Sequence, residues 1–165
     1  MQGQSHYAEL DEADDYSRVR LRGAGLLLLR ATAGGFLLPH GLGKLLGWFG
    51  GPGLSGFTAE LQGFDLPSFA PVPLVLALLQ TSLAVLLILG AWTRRAALVA
   101  SLYLAITAVI TANNGWFWMT HGMEYPLLWA LVLFALALTG SRPFSIDSHR
   151  ARQLRLDDQG LPNDR

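Results

Sequence analysis

The chain has 165 residues, 52% apolar and 15% charged, with a mean hydropathy of +0.35 and a formal net charge of zero. An ordinary soluble domain carries about a quarter charged residues, and a nucleic-acid binder presents a basic surface; this composition excludes both. With no cysteine, the chain has no thiol chemistry of its own,.

Residues 1–23 are polar, acidic first (Glu9, Asp11, Glu12, Asp14, Asp15) and then basic (Arg18, Arg20, Arg22). They read as a mobile tail. A secretory signal would begin with a short positive region and end at a small-residue cleavage site. Neither is present, so the first apolar span is expected to stay in the mature protein. Four apolar segments follow, at about 24–48, 73–92, 96–113 and 125–140, and between residues 24 and 141 the only charges are Arg30, Lys44, Glu60, Asp65, Arg94, Arg95 and Glu124. At about 1.5 Å per residue each segment can cross a hydrocarbon core of about 30 Å, the last two only just. A chain this short cannot bury four such helices in its own protein shell. The predicted fold is therefore an all-α integral membrane four-helix bundle, up-down-up-down. It occupies 24–147, between a polar N-terminal tail, 1–23, and a polar C-terminal tail, 148–165.

The loops at 49–72 and 114–123 contain no Lys or Arg, whereas the N-terminal flank, the 93–95 turn and the segment after 140 (Arg142, Arg150, Arg152, Arg155, Arg165) together carry ten arginines. The positive-inside rule then places both termini in the cytoplasm and Trp48, Trp116 and Trp118 in the outer aromatic belt. Within the first outer loop, the sequence SGFTAELQGF is compatible with a short amphipathic helix lying on the bilayer or with an irregular loop. Gly-Trp-Phe recurs at 47–49 and 115–117, a faint echo of two related hairpins.

The first span, residues 26–53, organises the rest because it carries Arg30, His40 and Lys44 at membrane depth. Each ionisable group there costs about 2.5 to 3.5 kcal/mol on insertion scales, so the span must face protein or water. At 100° per residue, Arg30, Gly34, Leu37, Gly41 and Lys44 share one sector and His40 flanks it. Sorted by depth, His40, Lys44, Gln80, Asn113, Asn114, His121 and Glu124 all fall in the outer leaflet. From these, His40, Lys44, Gln80, Asn114, His121 and Glu124 form a candidate ligand pocket. Plainer readings stand beside it: Lys44 can snorkel, His40 can bond a carbonyl freed by Pro39, Gln80 can join helices, and Glu124 can merely start a helix that has Pro126 in its first turn. An ion pair between Lys44 and Glu124 is expected at the outer rim. His40 lies far from His121 and Glu124 in the chain, and no metal site is predicted from the three. Arg30 stands at the other end, with Asp147 as its best available acid.

These residues resemble the DoxX family of small bacterial inner-membrane proteins. The matching elements are LLLLRATAGGFLLPHGLGKLLGWFGGPG, ILGAWTRRAAL, NNGWFW, HGMEYPLLWALVLFALALTG and RPFSID. The resemblance implies four transmembrane helices, a multi-pass place in the bacterial inner membrane, and an association with redox chemistry, since relatives include the small subunit of thiosulfate:quinone oxidoreductase. It carries over to Arg30, His40, Lys44, Arg94 and Glu124, with Arg30, Arg94 and Asp147 as structural charges. In similar proteins the position fourteen residues before the Thr-Arg arginine is commonly acidic; here it is Gln80. The implied role is a membrane subunit or anchor of a redox assembly, with no intrinsic cofactor, a quinone as candidate ligand, and the lipid bilayer, soluble or membrane redox proteins and further copies of the chain as candidate partners. A non-catalytic scaffold and a small oligomeric transporter are the alternatives.

Overall fold

The computed structural model describes residues 2–140 and 145–158, with side chains at 15–140, 145–149 and 151–155; Arg142 and Arg165, two of the flanking arginines, lie outside the described residues. All regular structure among the described residues is helical: α1 (Gln2–Leu46), α2 (Gly53–Gly63), α3 (Val72–Leu89), α4 (Thr93–Thr111), α5 (Glu124–Thr139) and α6 (Ile146–Asp158). Three helices are long and apolar enough to cross a membrane, Asp15–Leu46, Val72–Leu89 and Thr93–Asn114, and Glu124–Thr139 is a shorter apolar helix.

The spans are apolar over most of their exposed surface, and this identifies their solvent. No more than 33% of any of the three apolar windows is buried within the molecule. Leu28, Leu102, Val109, Leu131 and Leu138 are each at least half exposed. A continuous apolar surface of this extent is untenable in water, whereas in lipid it is the expected exterior. The chain is a membrane protein.

The polar N-terminal segment is helical, and α1 runs without a break from Gln2. No proline occurs before Pro39, and acidic residues precede arginines by one helical turn, as Asp14 does Arg18, which supports the helix,. Beyond the spans, Ile146–Asp158 form α6, and the rest of the polar C-terminal tail, 159–165, lies outside the described residues. Residues 53–63 form α2, as one of the two sequence readings allowed. Its apolar face does not lie on the bilayer, however: Phe57 and Leu61 are buried against Ala77 of α3, with Leu45, Leu66 and Leu76 around them.

Helices α1 and α3 pack most extensively on one side and α4 and α5 on the other; α3 with α4 and α1 with α5 complete the contacts. The four share one core of Ala33, Leu37, Leu83, Ala84, Leu87, Ala96, Ala97, Ala100, Leu104, Ala130, Leu133 and Leu136. Small residues set the spacing. A Cβ on Gly34 would lie 2.9 Å from the Ala84 carbonyl oxygen, and one on Gly41 would lie 2.8 Å from the Thr81 backbone nitrogen. The α1 and α3 backbones therefore touch along this face, as small residues permit in membrane helices. Across α4 and α5 the same closeness lets the buried Ser101 Oγ donate to the Ala130 carbonyl at 2.7 Å.

Two glycine turns set the ends of α3 and α1. Gly90, at φ 69°, ends α3 in a Schellman turn, with Ala91 N donating to Leu86 O at 3.0 Å and Gly90 N to Leu87 O at 3.2 Å,. Beyond α1, Gly47 (φ 73°) reverses the chain, and Gly51 then packs directly on the Gly43 backbone. That reversal returns α2 to the side of α1 and α3.

Candidate functional site

Helix α1 presents its polar residues on the face that packs. Arg30, Gly34, Leu37 and Gly41 are buried and Lys44 is half-buried, in the order their common sector requires; His40, on the flank, is exposed. Fourteen residues separate Arg30 from Lys44, roughly 21 Å of helix, so the two charges occupy opposite ends of the packed face.

At the Lys44 end, Lys44 Nζ donates to Gln80 Oε1 at 3.1 Å, and Tyr103 Oη donates to the same oxygen at a longer 3.3 Å. Gln80 is buried, at 3% exposure, so its carbonyl oxygen spends both lone pairs on these two donors,. The Lys44 ammonium also lies over two rings, 4.6 Å from the Phe57 centroid and 5.7 Å from that of Tyr103. Both distances are within cation–π range. Glu60, one turn after Phe57 on α2, is the charged neighbour whose field reaches Lys44. Three helices thus hold one ammonium: α3 through Gln80, α4 through Tyr103, α2 through Phe57. Beside it opens a cavity of about 320 Å³ lined by Pro39, His40, Gly43, Lys44, Trp48, Glu60 and the 49–52 turn.

The other sequence-predicted pocket residues form a separate group. Asn114 Nδ2 donates to the His121 carbonyl at 3.2 Å, Thr120 Oγ1 donates to the Asn114 carbonyl at 3.0 Å, and Glu124 Oε2 accepts from Trp118 N at 3.2 Å. These bonds fold the 112–124 connection into a compact knob, with Met123 N and Glu124 N returning to the Gly115 and Trp116 carbonyls. The six residues expected to form one pocket therefore divide into two sets. His40 and Lys44 line the cavity and Gln80 holds Lys44 from behind; Asn114, His121 and Glu124 stabilise the loop before α5. The expected Lys44–Glu124 pair is replaced on both sides, by Gln80 for the lysine and by the Trp118 amide for the carboxylate. Depth in the membrane was the only criterion that joined the two sets, and depth says nothing about azimuth around the bundle.

Tyr103, Phe57 and Glu60 were not among the candidate site residues of the sequence reading. For Tyr103 a signal existed: it is a polar-tipped aromatic in an otherwise apolar span, and such a hydroxyl needs a partner when buried. Phe57 and Glu60 reach the site only because the chain doubles back at 47–53.

At the Arg30 end, the buried guanidinium packs against Gly90, where an added Cβ would collide with Nη1. Asp147, from the start of α6, is its charged neighbour. The same carboxylate accepts from Trp92 N at 2.7 Å and Thr93 N at 2.8 Å, capping α4 from outside that helix. Asp147 N returns a bond to the Gly90 carbonyl at 3.1 Å. Arg94 lies across Gly140 at the end of α5. This end is a structural clasp of charges and backbone amides around the α3–α4 turn.

Fold and site together define a small helical membrane protein with a polar cavity against its first span. The family model for DoxX matches residues 25–113, more than half of the chain, and the chain belongs to the DoxX family. The match covers α3, α4 and the membrane part of α1, and so includes Arg30, Lys44, Gln80 and Tyr103; α5, α6, Glu124 and Asp147 lie beyond it. No curated protein and no solved structure matches the chain.

Proposed function

We propose that this protein is a four-helix, up-down-up-down bundle of the bacterial inner membrane, both termini cytoplasmic, serving as the membrane subunit of a redox assembly and receiving a quinone or a similar small lipophilic carbonyl compound beside Lys44. One observation carries the reading: a lysine in an apolar span, steered by Gln80 and two aromatic rings, forms part of the wall of an open cavity of about 320 Å³. Three ammonium protons are available and Gln80 takes one hydrogen bond, so Lys44 retains donor capacity for a ligand carbonyl. Cavities of this size are at the small end of ligand pockets, roughly 300 to 1,000 Å³. The redox assignment extends the family resemblance, and the orientation rests on the arginine distribution. In that orientation the pocket opens in the outer leaflet.

The test is a titration of purified protein with a short-chain benzoquinone, followed by tryptophan fluorescence, since Trp48 lines the cavity. Saturable quenching is expected. It should weaken at least tenfold in Lys44→Met and measurably in His40→Ala, and stay unchanged in Asn114→Ala and His121→Ala. A protein that binds no quinone but captures soluble partners is a scaffold, and the reading fails.

A further inference from the structure

Resting on that reading of the cavity, we infer that Glu60 sets the class of ligand admitted: a small neutral compound carrying a hydrogen-bond acceptor, with anions excluded. The cavity wall carries charge on two sides. Lys44 and His40 come from α1, and Glu60, the one carboxylate in the lining, comes from α2. One helical turn separates Phe57 from Glu60, so the helix that seats Phe57 under the Lys44 ammonium also brings Glu60 to the cavity. The position is imposed by packing, because Phe57 and Leu61 are buried in the cluster that fixes α2 on α3.

This arrangement discriminates by charge. A carboxylate or phenolate entering the cavity would gain from Lys44 and be repelled by Glu60, both of which line it,. A neutral carbonyl compound accepts a hydrogen bond from Lys44 without that repulsion. One that also carries a hydroxyl can donate to Glu60, because an ionised carboxylate is an acceptor only. The volume of about 320 Å³ is at the small end of ligand pockets and suits a compact ligand,. Without Glu60 the same cavity, with Lys44 and His40 in its wall, would favour anions. Glu60 is therefore a specificity-determining residue, and the preferred ligand is neutral with an acceptor at one end and a donor at the other.

The probes are an isosteric pair, 4-hydroxybenzamide (neutral) and 4-hydroxybenzoate (anionic), with a short-chain benzoquinone as third ligand, titrated by calorimetry into the detergent-purified full chain at pH 7.5. Wild type is expected to bind the amide at least tenfold more tightly than the carboxylate. Glu60→Gln should raise carboxylate affinity at least tenfold while changing amide affinity less than threefold. Glu60→Lys should invert the preference. Because Glu60 is exposed and outside the buried cluster, both variants keep the packing of α2. Equal binding of amide and carboxylate by wild type, or a ratio unmoved by Glu60→Gln, overturns the role of Glu60 while leaving the cavity a ligand site. Absence of saturable binding by all three compounds overturns the cavity reading itself, and this inference with it.

Discussion

Replacing Gly41 by alanine tests the contact on which the site is built. In a helix interior glycine is about 1 kcal/mol less favourable than alanine, so propensity alone makes the change stabilising. Gly35 supplies the comparison, since nothing lies within 4 Å of a Cβ built there. At Gly41 the new methyl would meet Thr81 N at 2.8 Å and Thr81 Cα at 3.0 Å. Carbon atoms rest at about 3.5 to 4.0 Å, and both close atoms belong to backbone, so α1 and α3 must part by several tenths of an ångström. Overpacking of this kind costs about 1 to 3 kcal/mol. The propensity gain is common to both positions, so the steric cost is the difference between the variants. Thermal unfolding in mild detergent should place Gly41→Ala below Gly35→Ala by about 1 to 3 kcal/mol, several degrees for a chain of this size. Gly34→Ala, at 2.9 Å from the Ala84 oxygen, should behave like Gly41→Ala. Equal stability of Gly41→Ala and Gly35→Ala would refute the close approach of α1 and α3. It would also remove the basis for Lys44, one turn further along the same face, reaching Gln80.

Gln80→Leu strips two donors of their shared acceptor and should destabilise by about 1 to 3 kcal/mol; Gln80→Glu keeps an acceptor for both and should recover most of that loss in the same melting assay. Asp147→Ala removes the cap on Trp92 N and Thr93 N, at about 1 to 2 kcal/mol, and should release α6, read as faster tryptic cleavage at Arg152 and Arg155 than in wild type. In a double-mutant cycle, Lys44→Met and Glu124→Gln should add within about 0.5 kcal/mol, because the two groups have different partners; a larger coupling would restore the ion pair. Single cysteines at Ser55 and Thr120 should react with an impermeant maleimide in intact spheroplasts, and one at Ser148 only after lysis; the opposite pattern would invert the orientation.

The face of α1 was legible in the sequence because the helical period converts spacing directly into direction: residues 30, 34, 37, 41 and 44 point one way whatever they meet. The partner across that face was not legible: Lys44 was expected to pair with Glu124, and Gln80 was placed in the same pocket by depth without being assigned as its acceptor. The continuation of α1 to Gln2 was missed because polarity was read as looseness, although the residues themselves are compatible with a helix. The lean of α2 onto protein rather than lipid depends on the reversal at Gly47 and the Gly43–Gly51 contact, where several glycine conformations are equally open to the chain,.

The part of the site that the sequence hid was the course of its two outer connections. The spans pack chiefly as two hairpins, α1 with α3 and α4 with α5, and each hairpin ends in a Gly-Trp-Phe break whose glycine, Gly47 or Gly115, has positive φ. Beyond the first break the chain turns back over α1, bringing Phe57 to Lys44 and Glu60 to the cavity. Beyond the second it closes on itself, and Asn114, Thr120 and Glu124 are used in that closure. The same local signal thus yields a cavity in one hairpin and a compact knob in the other, and the difference lies in loop length. The first connection is long enough to form a helix and reach the spans, whereas the second can satisfy its polar groups only among themselves. Lengthening the second loop should free Glu124 without creating a second pocket, because α5 offers no counterpart of Lys44.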